Sequence, residues 1–204
     1  MDKYAPQAER WTAEAYADAA SYLAHRAELI RSLGPRLRSG DTLLDLACGD
    51  GGLAEHLSEL HYSGVDSSPE MVAAARRHGR DVVLGDLNEY EPPRPVTATT
   101  CFRAIYYARD RRAFFQRVAG YTQRKLVFDL NPRQYGVEDV RADLRHAGFE
   151  ELSLRPFFSP QRFPLPPVIA PALHALERSG PLARLVLRYR FSFLCAAFRA
   201  GTNS

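Results

Sequence analysis

At 204 residues, with 46% hydrophobic and 25% charged residues, the chain suits one globular domain with a full-sized core, and two independent domains would be cramped. A formal net charge of +3 gives no footing for a nucleic-acid partner, and Cys48, Cys101 and Cys195 lack the paired or metal-type spacing of a disulfide framework or a metal site. Met1 to Arg10 is polar, and no run approaches about 18 uninterrupted apolar residues, so a soluble, cytoplasmic chain with no membrane contact is expected.

In chain order, Thr12 is placed to cap a helix running to about Leu33, with Gly34-Pro35 as its stop. Its stripe Tyr16, Ala20, Leu23, Ala27 and Ile30 faces the core, and Tyr22 and Arg26 lie one turn apart on a neighbouring face. Thr42 to Leu46 reads as a buried strand, broken by Gly49, Gly51 and Gly52, after which Leu53, Ala54, Leu57 and Leu60 repeat at helical spacing. Tyr62 to Asp66 is a second strand. Ser68 then caps a helix that has Pro69 at its first position and Gly79 beyond its end. Asp81 to Leu84 is a third, short strand, followed by Gly85-Asp86-Leu87.

After the rigid link Glu91-Pro92-Pro93-Arg94-Pro95, Val96 to Phe102 is a fourth strand rich in β-branched residues. Asp110 is placed to cap a helix carrying Phe114, Phe115 and Val118. Lys125 to Leu130 is the fifth strand, and the polar loop Asn131 to Tyr135 follows it. Val137, Val140, Leu144 and Ala147 mark another amphipathic helix, ended by Gly148. Glu151 to Phe157 and Leu185 to Phe198 read as two strands of alternating face. Between them Pro156 to Ala183 is rich in proline and aromatics, with a short helix from Pro171 to Arg178.

The strand, turn and helix over Thr42 to Leu57 carry the most specific chemistry. Glycines there allow positive φ and close ligand approach, while the free N–H groups of the new helix point at the same place, which makes a site for a nucleotide-like molecule. Gly49-x-Gly51-x-x-Ala54 satisfies the loose dinucleotide pattern. Asp45 inside the strand, followed at alternate positions by Ala47, Gly49 and Gly51, resembles the first motif of the class I S-adenosylmethionine (SAM) dependent methyltransferases; Ala47 stands where the family has its first glycine.

Further residues extend the likeness. A carboxylate at Asp66, one strand-helix-strand unit on, can accept both ribose hydroxyls, which SAM and NAD share. Val65-Asp66-x-Ser68-x-x-Met71 resembles the second family motif and implies contact of Met71 with adenine or ribose. The resemblance also implies that Asp86 bonds the adenine amino group and the Leu87 N–H a ring nitrogen. Asp45, Asp66 and Asp86, ending successive strands, describe a SAM pocket better than an NAD pocket. Tyr16 and Tyr22 look like the aromatic pattern of the family's leading helix, and Arg26 could pair with the methionyl carboxylate. Cys48, Asp50 and Ser67, in the turns of the two motifs, are further cofactor-binding candidates that the resemblance implies, and Phe102 and Arg103 fall where the family holds the methionine end.

The resemblance covers about residues 12 to 155. It implies an α/β, Rossmann-like, seven-stranded and mainly parallel sheet with helices on both faces and a C-terminal antiparallel hairpin. Within one domain, residues 1–40 would form a helical cover, 41–156 the SAM-binding core, 157–183 a proline- and aromatic-rich insertion, and 184–204 the last strand and tail. SAM carries its own activated methyl, so alignment of an acceptor can supply a large share of catalysis, on the order of 7–11 kcal/mol. A general base matters only if the acceptor must lose a proton, and the sequence shows no unambiguous one. Tyr107 and Asn131 are the catalytic-site candidates; His25 and His174 are the histidines that could reach a pocket.

No metal site suggests itself. Aromatic covering segments and the modest charge point to a small, fairly apolar acceptor, with a monomer or homodimer as the working unit. Nucleic-acid methylation is disfavoured, since the Asn/Asp-Pro-Pro-aromatic motif and a Pro-Cys nucleophile are missing. Two alternatives stand: an NAD(P)-binding oxidoreductase, which would leave Asp45 and Asp86 without roles, and a SAM-binding protein without methyl transfer.

Overall fold

The computed structural model describes residues 11–160, 162–164, 166, 168–180, 183 and 192–201. Among these the helices are α1 Trp11–Ala15, α2 Ala19–Ser32, α3 Pro69–Arg77, α4 Arg111–Tyr121, α5 Val137–His146 and α6 Ala170–Arg178. The strands are β1 Thr42–Leu46, β2 His61–Asp66, β3 Val82–Leu84, β4 Val96–Cys101, β5 Thr122–Leu130, β6 Glu151–Phe157 and β7 Ser192–Phe198. They form one seven-stranded sheet in the order β3-β2-β1-β4-β5-β7-β6. β1 to β5 run parallel, and β7 lies antiparallel between β5 and β6. The order reverses between β1 and β4, and in open α/β sheets the crevice at such a switch point is where ligands bind.

Alternation along the central strands covers both faces. Leu43, Ala98, Val127 and Leu194 pack against Leu23, Ala27 and Ile30 of α2. Their neighbours Leu44, Leu126, Phe128 and Cys195 face the other way, onto Phe114, Phe115 and Val118 of α4 and Val140 and Leu144 of α5. α2 is also fastened at its C-terminal end: the fully buried Lys125 of β5 donates to the carbonyls of Leu33 at 2.8 Å and Arg31 at 3.3 Å. Burial depresses that amine to about 7.

Four expectations change. The leading helix is not continuous from Thr12. It breaks after Ala15 because Asp18 caps α2, accepting the Ser21 N–H at 3.1 Å, while Thr12 is engaged by Asp50. The break turns Ala20 outward, and the buried face of α2 runs through Tyr22, Leu23, Arg26, Ala27 and Ile30. After the glycine turn there is no α-helix but a five-residue 3-10 helix, Gly52–His56. The chain must reach His61, paired with Thr42, so Leu57 leaves helical space at φ −131°, and the tighter form fits the span.

β5 starts at Thr122, directly from α4, because its hydroxyl lies 2.6 Å from that of Thr99 inside the sheet. For the last strand, Ser192–Phe198 is described; the part of the expected strand from Leu185 to Phe191 lies outside the described residues.

Candidate cofactor-binding site

A cavity of about 860 Å³ opens at the carboxyl ends of β1, β2 and β4, with α1 and α2 along one side. Asp45, at the end of β1, is 4% exposed. It accepts hydrogen bonds from the Tyr62 hydroxyl at 2.9 Å and the Thr100 hydroxyl at 2.6 Å. Burial nevertheless outweighs both donors and pushes its carboxyl up to about 6.

Asp66, ending β2, accepts the Gly49 N–H at 2.8 Å on one oxygen and the Ser68 N–H at 2.9 Å on the other. One carboxylate thus ties the glycine turn to the start of α3. Ser68 caps that helix by accepting the Met71 N–H at 3.4 Å, and Met71 is buried along the cavity wall. The turn itself is left-handed at Ala47, Gly49 and Gly51, with φ of 55°, 61° and 70°. At Ala47 that conformation costs roughly 1–2 kcal/mol.

Asp86 follows β3. It accepts the Asn88 N–H and side-chain amide, each at 2.8 Å, and pairs with Arg109 at 2.7 Å. The Asn88 N–H is the main reason its carboxyl lies below the ordinary value, with the Asn88 amide and Arg109 acting the same way. Arg26 is buried, its guanidinium 4.3 Å from the Phe102 ring, with one nitrogen donating to the Tyr22 hydroxyl at 2.8 Å. Its Nε is buried without a hydrogen-bond partner in the structure. Arg103, beyond β4, also takes a left-handed backbone at φ 56° and donates its N–H to Asp129 at 2.7 Å.

The cavity brings together Tyr16, Arg26, Asp45, Ala47, Cys48, Gly49, Asp50, Asp66, Ser67, Met71, Asp86, Leu87, Phe102, Arg103 and Tyr107. Tyr107 stands on the rim, 60% exposed. Three expected site residues lie elsewhere. Tyr22 is behind the wall, stacked on Tyr16 at 4.3 Å and meeting Phe157 edge-on at 5.1 Å, so it supports Tyr16 and Arg26 from within the core. Gly51 opens the 3-10 helix, and a Cβ there would face Arg80 rather than the cavity. Asn131 serves its own loop: its N–H donates to the Tyr106 hydroxyl at 2.6 Å and its side chain accepts the Arg133 N–H at 3.0 Å.

Neither histidine lines the cavity. His25 lies 2.7 Å from buried Glu177 and stacks on His174 at 3.7 Å, joining α6 to α2. Sequence reasoning missed Trp11, Asn88 and Arg109, all of which line the cavity. Asn88 had a local signal, an amide two residues past Asp86; Trp11 and Arg109 had none.

Residues 43–125 match the model of a methyltransferase domain. Over that stretch, which runs from β1 into β5, the chain is similar to methyltransferase domains. Over 102 residues, 46% of the chain, it is 39% identical to a trans-aconitate 2-methyltransferase of Mycobacterium ulcerans, and the match spans 39% of that relative's length. Solved structures that share the fold include the following two. A Haloferax volcanii protein solved in complex with the Trm112 methyltransferase activator has a TM-score of 0.62 at 18% identity, over 97% of this chain and 98% of that one. Magnesium protoporphyrin IX methyltransferase from Synechocystis, solved with bound SAM, has a TM-score of 0.60 at 16% identity, over 98% and 86%. No described helix is long and apolar enough to cross a membrane.

Proposed function

We propose that the chain binds SAM in this cavity and transfers its methyl group to a small-molecule acceptor. One observation carries the reading: Asp45, Asp66 and Asp86, at the ends of β1, β2 and beyond β3, line a single cavity together with Gly49. The fit is chemical as well as spatial. Arg26, a buried cation with a free Nε, suits a carboxylate, and buried Asp45 suits an ammonium, so the two ends of an amino-acid moiety have opposite charges waiting for them.

Asp66 would take the ribose hydroxyls, Met71 would pack on the nucleoside, and Asp86 with the Leu87 N–H would read adenine; Arg109 must then share Asp86 with the base. When bound, SAM supplies a methyl on a sulfonium, open to in-line displacement. The protein's part is to hold the methionine end against Phe102 and Arg103, keep water out, and leave Tyr107 on the rim facing an incoming acceptor. Asn131, outside the cavity, has no place in this scheme.

Trp11, Phe102 and Tyr107 favour a small, fairly apolar acceptor. A second reading, a carboxylate-bearing acceptor, is favoured by Arg103 and Arg109 on the same cavity; the name trans-aconitate 2-methyltransferase borne by the Mycobacterium ulcerans relative is of that type. Calorimetric titration with S-adenosylhomocysteine (SAH), NAD and NADP comes first, followed by methyl-labelled SAM with neutral aromatic and polycarboxylate acceptors. Binding of SAH alone and label in one acceptor class are expected. Binding of a dinucleotide instead would move the protein to hydride chemistry, and binding of SAH without product from any acceptor would leave a cofactor-binding protein.

A further inference from the structure

Asp50 reads as a cofactor-turn residue, yet its carboxylate is occupied by the protein. It accepts both the N–H of Thr12, at 3.1 Å, and the Thr12 hydroxyl, as well as the Gly52 N–H at 3.2 Å. Asp50 is 4% exposed, and Arg80 fastens the turn from below by donating to the Asp50 carbonyl and to Glu55. Among the described residues, α1 and the turn donate these hydrogen bonds to the carboxylate, and the Arg80 guanidinium lies 4.0 Å from one of its oxygens.

Next to Thr12, the Trp11 ring lies on the glycine turn. A Cβ placed on Gly49 would come within 2.9 Å of the indole, and one on Gly52 would collide with the Thr12 hydroxyl. These two glycines leave room for α1 as much as for a ligand. Trp11 also packs with buried Met71 and Ala74 of α3, and the Arg103 guanidinium lies 5.8 Å from its ring. The indole therefore bridges the glycine turn and the helix that follows Asp66. None of the five residues of α1 is fully buried, and Ala15 at its end packs against the cluster that holds Leu23 and Ala27 of α2.

We infer that Thr12 and Asp50 are positioning residues: their paired hydrogen bonds dock α1 so that Trp11 becomes a wall of the cofactor site, and the cofactor exchanges when that contact opens. This rests on the reading of the cavity as a SAM site. Asp50 thereby bears on the ligand through Thr12 and Trp11.

Trp11 is the chain's one tryptophan, so its emission reports this contact directly. Thr12→Val keeps the side-chain shape and removes the hydroxyl donor; Thr12→Ser restores the donor. In the ligand-free protein, Thr12→Val should make Trp11 more accessible to acrylamide quenching. In stopped-flow displacement it should release SAH about tenfold faster or more, the scale of one charge-assisted hydrogen bond. Thr12→Ser should return both values to those of the unmodified protein, which a loss of fold would not allow. A Thr12→Val protein that keeps the original dissociation rate, or a Thr12→Ser protein that behaves like Thr12→Val, would overturn the inference. Failure of the unmodified protein to bind SAH in the calorimeter would instead sink the cofactor assignment, and ligand-free quenching would still decide whether Thr12 and Asp50 dock α1.

Discussion

Asp45 should make the folded protein less stable and the cofactor complex tighter, and Asp45→Asn separates the two effects. Its carboxyl rises from 3.8 to about 6 on burial. A rise from 3.8 to about 6 corresponds to about 3 kcal/mol. The sign follows from proton counts. Between 3.8 and 6 the folded chain holds the proton more tightly than the unfolded chain, so this group's contribution to stability falls as pH rises through the window and remains unfavourable at pH 7. An amide in the same volume removes the charge, and it can still accept from one of the hydroxyls of Tyr62 and Thr100 and donate to the other.

Ligand-free Asp45→Asn should therefore unfold later at pH 7, by up to roughly 6–12 °C for a chain of this size, and the gain should vanish at a pH below 3.8, where the unmodified side chain is protonated in both states. Affinity for SAH should move the opposite way, weaker by about 1.5–3 kcal/mol, the scale of a hydrogen bond to a charged group. Differential scanning fluorimetry at the two pH values and calorimetry at pH 7 read both. An earlier melting midpoint at pH 7, or unchanged SAH affinity, would refute the reasoning.

Asp66→Ala removes the acceptor for the Gly49 and Ser68 N–H groups, so it should cost about 2–4 kcal/mol of stability as well as cofactor affinity, with Asp66→Asn in between; urea unfolding at the level of the unmodified protein would mean that the carboxylate does not hold the turn. Ala47→Gly relieves a left-handed backbone at φ 55° and should stabilise by about 0.5–1 kcal/mol once glycine's extra unfolded-state freedom is subtracted; a lower thermal midpoint would count against that strain. Lys125→Met tests the buried amine. Because its value falls from 10.5 to about 7, the unfolded chain binds more protons in that window, and the unmodified protein should gain stability with pH by up to about 1.4 kcal/mol per unit. The methionine variant should lack that gain, and parallel pH profiles of denaturant unfolding would show that the amine is solvated.

What the sequence made legible was whatever a few consecutive residues determine. β1 and β2 are apolar runs ending in acids, and α3 carries its own signals, Ser68 as cap and Pro69 at its first position. Elements decided by distant partners were misread. Thr12 and Asp18 are both good caps, and only the reach of Thr12 to Asp50 settles that Asp18 starts α2. Leu53 and Leu57 look helical by spacing, but the pairing of His61 with Thr42 leaves room for only one tight turn. Asp66 reads as a ligand acid from its motif; its second duty, holding the Gly49 and Ser68 amides, is visible only once strand and turn are assembled.

The same division runs through the cavity. Its cofactor half is made of strand ends and backbone turns, where Asp45, Gly49, Asp66 and Asp86 each sit at a fixed offset from a local pattern. Its outer half is assembled from Trp11 of α1, Asn88 after β3, Arg103 after β4, and Tyr107 and Arg109 in the link to α4. No spacing connects these residues, and methyl transfer demands no fixed pair of acid and base that would mark them. A sequence can thus announce the cofactor while leaving the acceptor open. If α1 docks as Thr12 and Asp50 indicate, the Trp11 wall is held by a short helix and one buried carboxylate. Changes there should alter how fast a ligand leaves the cavity without disturbing Asp45, Asp66 and Asp86 at the strand ends.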